Sequence, residues 1–376
     1  MIDRRLLRDF DWVMLGLTLA LAAVGAVGVF SATHGADGPS PLFYDHLRRL
    51  GVGVAALLLA TLIDYHVILH FAWIAYGLGL AALLAVDIVG MVGMGAQRWL
   101  SLGVISIQPS EFFKLALVLV IARFFSGLRK PSPFVWADIW PIVLATGVPF
   151  LLVMKQPDLG TAMIIAGIFV VMLFVAGVDV RLFAWTAGAG LSVAGALFGL
   201  SVLGVFNPLR LLHDYQLKRI KVLFNPDLDP LGAGYHISQS KIAIGSGGFT
   251  GKGFTQGTQS GLNFLPQQHT DFIYSVVSEE WGFIGSVAVI ALMILLILWA
   301  VQTANKARDF TGSLLAMGVA TVFFLHCTIN IGMTTGILPV VGIPLPLLSY
   351  GGSSVLTTFA GIGLIMNVKM RRYIYG

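Results

Sequence analysis

Long apolar runs separated by short polar turns repeat along the whole chain. Ten stretches approach the roughly 20 apolar residues that a hydrocarbon core requires: residues 12–31, 49–64, 67–88, 111–127, 139–154, 160–178, 182–205, 272–301, 312–336 and 347–368. The pattern predicts an all-α, polytopic membrane protein of about ten transmembrane helices, organised as a single domain over 1–376. The first run lacks a small-residue cleavage site and is followed by more of the same kind, so it is read as a span and not a leader. One interval, 206–271, is too long for a turn. It lies between the seventh and eighth spans, and surface chemistry is expected to concentrate there. Its beginning, 211–224, mixes apolar and basic residues, which suits either a helix in the headgroup plane or an amphipathic connector. No internal repeat is evident.

Composition removes the other classes. The chain is 57% hydrophobic and 11% charged, against about 25% charged in soluble domains, and its mean hydropathy is +0.87. A soluble enzyme, a disordered chain and a disulfide scaffold are excluded, and Cys327 is the single cysteine. Glycine, at 44 residues, suits closely packed membrane helices. The net charge of +5 is informative by position and does not signal nucleic acid. Of 23 basic residues, 12 fall on the face holding both termini, 5 on the opposite short loops and helix ends, and 6 in the long loop. The positive-inside rule then predicts both termini in the cytoplasm and the long loop outside.

Ionisable groups near membrane depth are costly and point to function. Arg98 is one. In Gln108-Pro109-Ser110-Glu111 with Lys114, Pro109 can start a helix and Ser110 can cap it, with Glu111 and Lys114 at i, i+3. They form a structural ion pair, or else Arg98 and Lys114 hold a phosphate while Glu111 orients Lys114 or binds a cation. Asp158 follows Gln156-Pro157 and either caps the next helix or serves a site. His269-Thr270-Asp271 opens the eighth span, with Glu279 and Glu280 two turns deeper. Asp271 is an N-cap, or a carboxylate that takes a proton from a sugar hydroxyl. The segment 336–354 contains Pro339, Pro344 and Pro346. It cannot be regular helix and is expected to wall a groove. His326 and Asn330, at i, i+4, are read as helix–helix hydrogen-bonding residues and not metal ligands. The glycines at 245–248 and 251–253 do not match a nucleotide-binding loop.

At these residues the chain resembles the shape, elongation, division and sporulation family over nearly its whole length. The segments carrying the resemblance are Gln108-Pro109-Ser110-Glu111, Gln156-Pro157-Asp158-Leu159-Gly160-Thr161, Asp229-Pro230-Leu231-Gly232-Ala233-Gly234-Tyr235, Gln239-Ser240-Lys241 through Gly248, His269-Thr270-Asp271-Phe272, and Pro344 through Ser354 with Ser349-Tyr350-Gly351-Gly352 inside it. The run from Gly232 to Ser260 and the short tails favour the elongation branch over the division branch. Gln267-Gln268 departs from the pattern, where a charged residue is expected.

The resemblance implies a peptidoglycan glycosyltransferase that polymerises lipid II at the outer face of the bacterial cytoplasmic membrane. It implies a class B penicillin-binding transpeptidase as partner, with MreC- and MreD-type proteins of the elongation complex, and no nucleotide or nucleic acid. Asp271 matches the catalytic aspartate. Arg98, Glu111, Lys114, Asp158, Lys241, His269, Thr270, Ser349 and Tyr350 fall in the segments expected to bind substrate. A divalent cation, Mg2+ or Mn2+, is expected without an assigned site. The competing readings are a lipid II flippase, the division relative of the same family, and a non-catalytic scaffold for wall synthesis.

Overall fold

The computed structural model describes residues 9–34, 38–93, 96–101, 103, 106–128, 130–186, 188, 192, 214–230, 232–262 and 264–373. In chain order the elements are α1 (Trp12–Thr33), α2 (Pro41–Leu62), α3 (Tyr65–His70), α4 (Ala72–Val89), β1 (Met91–Gly93), β2 (Ala96–Ser101), β3 (Ser106–Ile107), α5 (Pro109–Gly127), α6 (Trp136–Lys155), α7 (Leu159–Ala176), α8 (Asp214–Phe224), α9 (Ala233–Ser246), α10 (Thr258–Gly261), α11 (Ile273–Asn305), α12 (Phe310–Thr334) and α13 (Gly352–Met370). Nine of the ten predicted spans coincide with these helices. The other, 182–205, lies outside the described residues beyond its first turns.

Among the described residues, seven helices are long and apolar enough to cross a membrane. Two more, α2 and α5, also match predicted spans but carry Asp45, Arg48 and Arg49, and Glu111, Lys114 and Arg123. The chain is a multi-pass helical membrane protein. Burial is graded: α12 and α13 form the centre, with 72% and 83% of their apolar windows inside the protein, whereas α4, at 22%, lines the periphery. Close backbone approach sets this packing. A Cβ on Gly363 of α13 would overlap the Leu57 carbonyl of α2, so only glycine lets the two helices meet there.

Three boundaries differ from the sequence reading. Pro41 occupies the first turn of α2 and starts it eight residues before the predicted 49, which places Arg48 and Arg49 on the helix. The last span begins at Gly352, not 347, because Ser349-Tyr350-Gly351 belongs to the irregular segment before it. The eighth span breaks at Gly282 (φ 63, ψ −157). A Cβ there would overlap the Gly251 amide nitrogen. The glycine-rich loop docks into that break, with Phe283 N–H donating to Gly248 O at 2.9 Å and Gly253 N–H to Glu280 O at 2.9 Å. Met91–Gly93, Ala96–Ser101 and Ser106–Ile107, short and poor in apolar periodicity, pair as a three-stranded antiparallel sheet in the order β1-β2-β3, an element absent from the sequence reading.

The helix ends define two polar layers. In one, Lys369 pairs with Asp11 at 2.8 Å, the Trp299 indole donates to Asp11 Oδ2 at 2.9 Å, and the Tyr65 hydroxyl donates to Asp309 Oδ1 at 2.7 Å. This layer ties the start of the first helix to the end of the last. The opposite layer holds the small sheet, the 155–158 turn, the segment before α11 and the irregular 336–351 segment.

Candidate active site

The segment 266–272 enters the second layer as a series of turns, with Gln267 at φ 55. Its course is fixed from across the bundle. The Tyr350 N–H donates to His269 O at 2.8 Å, the Ser349 hydroxyl to Thr270 O at 2.6 Å, and the Asn330 side-chain amide to Asp271 O at 2.9 Å. Three successive carbonyls are thus each held by a separate donor from 330–350. The same Asn330 amide also donates to Ile343 O at 2.6 Å, locking the proline-rich segment to the aspartate backbone. Individually such bonds contribute about 1 kcal/mol; together they fix where the Asp271 side chain points.

That side chain is not a helix cap. Phe272 is the N-cap of α11, without a side-chain cap, which removes the alternative reading of Asp271 and corrects the expectation that Thr270 or Asp271 opens the helix. Among the described residues the Asp271 carboxylate has no hydrogen-bond or ion-pair partner, and the residue is only partly buried. Its Oδ2 lies 3.2 Å from the point a Cβ on Gly342 would occupy, so the positive-φ Gly342 leaves the carboxylate room. Burial pushes the Asp271 carboxyl up to about 6, against the opposing pull of Arg98 and Arg219, and Asp158 adds to the rise. A base that must be ionised then loses activity on acidification. Activity resting on this carboxylate as a base is expected to rise through pH 6 and level above it. A flat initial rate from pH 5 to 8 would contradict a carboxylate base with this environment.

Arg98 stands on β2. It donates to the Gln156 carbonyl at 3.5 Å and to the Pro157 carbonyl, and lies 3.8 Å from Asp158 Oδ1. Asp158 is the N-cap of α7 and accepts from the Thr161 N–H at 3.2 Å and its hydroxyl at 2.9 Å. Asp158 is therefore a cap that also anchors Arg98, and Arg98 acts on Asp271 through space.

Glu111 and Lys114 sit deeper, with Gln108 and not Ser110 as the N-cap of α5. They pair at 2.7 Å with side chains 5% and 2% exposed. The Lys114 ammonium also meets His326 Nε2 at 2.7 Å, while His326 Nδ1 lies 3.2 Å from Pro344 O. The network assigns a neutral His326 that accepts from Lys114 and donates to Pro344. His326 and Asn330, one turn apart on α12, thus relay from the buried pair to the Asp271 backbone.

The remaining expected residues divide. The Ser349 hydroxyl is consumed internally, accepting from the Leu345 N–H at 2.7 Å as well as donating to Thr270 O. His269 packs edge-on against Tyr350 at 5.5 Å, and burial lowers its pKa below the ordinary imidazole value. The Thr270 hydroxyl turns back to Gln267 O at 3.2 Å. Lys241 is exposed on α9 and crosses the positive-φ Gly336 at the end of α12, away from these contacts. Glu279 accepts from the Gln259 N–H at 2.9 Å and pairs with Lys252 at 2.7 Å, and Glu280 accepts from the Ser31 hydroxyl. Both hold the loop against the helix break and take no part in the site. Arg219 escaped the sequence reading: on α8, it donates to Val340 O at 2.6 Å and faces Asp271 electrostatically. Its signal was present in the basic positions of 211–224, which the sequence left as either a headgroup-plane helix or an amphipathic connector.

Residues 10–374 match the family described as cell cycle protein, FtsW/RodA/SpoVE. The chain belongs to that family. It is 41% identical over 364 residues to the peptidoglycan glycosyltransferase MrdB of Escherichia coli K12, covering 96% of this chain and 94% of the relative. Among solved structures it is similar to the rod-shape-determining protein RodA of Thermus thermophilus, with 30% identity, TM-score 0.69, and 97% and 98% of the two chains covered. It is also similar to a chain of a peptidoglycan synthase complex that coordinates polymerization and crosslinking, with 31% identity, TM-score 0.80, and 97% and 98% covered. Membership of the FtsW/RodA/SpoVE family agrees with the resemblance carried by the His269-Thr270-Asp271-Phe272 and Ser349-Tyr350-Gly351-Gly352 segments, which in this fold are hydrogen-bonded to one another.

Proposed function

We propose that this chain is a peptidoglycan glycosyltransferase that polymerises lipid II, with Asp271 as its general base. The observation that supports the reading is the unpaired, partly exposed Asp271 carboxylate on a backbone held at three successive carbonyls. Lipid II presents an α-linked disaccharide on a diphosphate, and the polymer is β-1,4 linked, so one displacement with inversion accounts for the product. Asp271 takes the proton of the incoming 4-hydroxyl as the glycosidic bond to the diphosphate breaks. Undecaprenyl diphosphate leaves already ionised, so it needs cationic stabilisation and no proton donor. Arg98 and Arg219 supply positive potential at the carboxylate and keep it ionised.

The membrane arrangement follows the charge bias. With 12 basic residues against 5 on the opposing short loops, both termini lie in the cytoplasm and Asp271 faces the outer leaflet. A class B penicillin-binding protein crosslinks the emerging strand, and MreC- and MreD-type proteins complete the elongation assembly. For a divalent cation, no group of three His, Cys, Asp or Glu side chains among the described residues is placed to hold one. Both Asp158 oxygens are engaged. The donor set fits a cation carried by substrate phosphate oxygens with at most one protein carboxylate, as Mg2+ is often bound. It would neutralise leaving-group charge.

The test uses the full chain with its penicillin-binding partner in detergent, supplied with lipid II. Glycan polymer and undecaprenyl diphosphate are expected in equivalent amounts per linkage. Absence of polymer, together with lipid II translocation by the same chain in vesicles, would replace this reading by a flippase.

A further inference from the structure

Arg49, in the third turn of α2 and against Tyr350, is a basic side chain that neither a carboxylate nor a carbonyl engages among the described residues. Arg98 is tied to two carbonyls and Asp158, Lys114 to Glu111, and Arg219 to Val340 O. The neighbouring Arg48 is spent on Asp45 at 2.9 Å. The Arg49 guanidinium instead lies over the Tyr350 ring, 4.3 Å from its centroid, a cation–π contact that leaves its charge unneutralised. Its Nη1 is 3.5 Å from the point a Cβ on Gly352 would occupy, at the first residue of α13.

The N-terminus of α13 is uncapped. Gly351 has no side chain to offer, and the first backbone bond inside the helix is Val355 N–H to Gly351 O. Among the described residues the N–H groups of Gly352, Ser353 and Ser354 are therefore open, as the first turn of any helix leaves them. Ser353 faces the same layer, where its hydroxyl accepts from the Gln108 N–H at 3.0 Å. A second observation is independent of the helix end. His46, one turn before Arg49, is 0% exposed, and neither ring nitrogen has a hydrogen-bond partner. Its ring lies 6.0 Å from that of Tyr350 and within electrostatic reach of Arg49. A buried polar group left empty on both sides signals an absent partner.

We propose that Arg49, the N-terminus of α13 and His46 form a binding site for a lipid-borne phosphate, that of the polyprenyl diphosphate of the substrate. The proposal rests on the glycosyltransferase reading and adds to it the residues that grip the leaving group. Open N–H groups with the helix dipole behind them and a free guanidinium in front are the chemistry that recognises phosphate. Tyr350 joins the two halves of the reaction: its ring holds Arg49, and its N–H holds the carbonyl of His269, two residues from Asp271. A diphosphate seated here brings its sugar toward the base.

The experiment measures binding without turnover. The full chain carrying Asp271→Asn is placed in phosphatidylcholine nanodiscs and titrated with undecaprenyl diphosphate, with undecaprenol and phosphatidylglycerol as comparison lipids. Adding Arg49→Gln is expected to weaken undecaprenyl diphosphate at least ~10-fold, the scale of a charge-assisted hydrogen bond, and to leave undecaprenol unchanged. Arg49→Lys, which keeps the charge and tests against misfolding, is expected to recover part of the loss. Equal Kd values with and without Arg49→Gln, or an equal loss for undecaprenol, would overturn the site. Competition by phosphatidylglycerol as strong as that by undecaprenyl diphosphate would assign it to bulk headgroups and overturn the substrate assignment. Failure of the protein that retains Arg49 to bind undecaprenyl diphosphate at all would strike the glycosyltransferase reading itself.

Discussion

Asp271→Asn is expected to make no glycan from lipid II and yet to melt at a higher temperature than the parent protein. The first half follows from loss of the base, which costs about 10²–10⁴ in rate. The second follows from the environment of the carboxyl, raised by burial from its ordinary 3.8 to about 6. Between those values the folded protein binds more protons than the unfolded chain. The group therefore favours folding at low pH, and that contribution is lost as pH rises through about 6. At pH 7 to 8 the ionised carboxylate is a burden on the fold. Asparagine keeps the shape and removes the charge, so a gain on the order of 1–2 kcal/mol is expected, softened by the partial exposure of the residue. The measurement pairs a polymerisation assay with a thermal melt in detergent. Substantial polymer from the variant would take Asp271 out of the base role. A lower melting temperature would mean that the carboxylate holds structure and is not a strained functional group.

The spans were legible because the hydrophobic effect writes them in consecutive residues: each of the nine described ones needs only its own 18 to 33 residues to be recognised. The cluster of Arg98, Asp158 and Asp271 was legible as a set of costly charges, and through the family resemblance. What was not legible was pairing across the bundle. Asp271 looked like a cap because it precedes a helix, and only the backbone of Phe272 decides otherwise. Ser349 and Tyr350 looked like substrate ligands, whereas the partners of Ser349 and of the Tyr350 N–H are the carbonyls of Thr270 and His269, about 80 residues away in sequence. The importance of Arg49 depends on which other cations are already neutralised, a property of the whole site and of no single segment. The sheet at 91–107 was missed because strands of two to six residues carry too little periodicity to register.

Lys114→Met is expected to cripple folding, and adding Glu111→Gln is expected to restore folding without restoring polymerisation. Both members of the pair are buried, with side chains 2% and 5% exposed. Removing the ammonium alone leaves the Glu111 carboxylate without its counter-charge in a cavity lined by Leu115, Val322, Phe323, Pro346, Thr357 and Thr358, at a cost of about 3–5 kcal/mol, a large share of the roughly 5–15 kcal/mol that typically holds a protein together. Neutralising the partner removes that cost, and melting temperature and yield should return toward the parent. Activity depends on a different bond. His326 Nε2 takes its donor from Lys114, and the same ring holds Pro344 O. One turn away, Asn330 ties Ile343 O to Asp271 O. Without the ammonium the imidazole is free to turn, the proline-rich segment loses a fixed point, and the base drifts from its line of attack. A displacement of about 1 Å costs on the order of 10²-fold in rate. The double variant should therefore show a kcat at least ~10-fold below the parent with KM for lipid II unchanged. Parental kcat would reduce the cluster to an ion pair that only supports the fold. A raised KM with parental kcat would mean that Lys114 reaches the diphosphate itself, which its burial against α12 argues against.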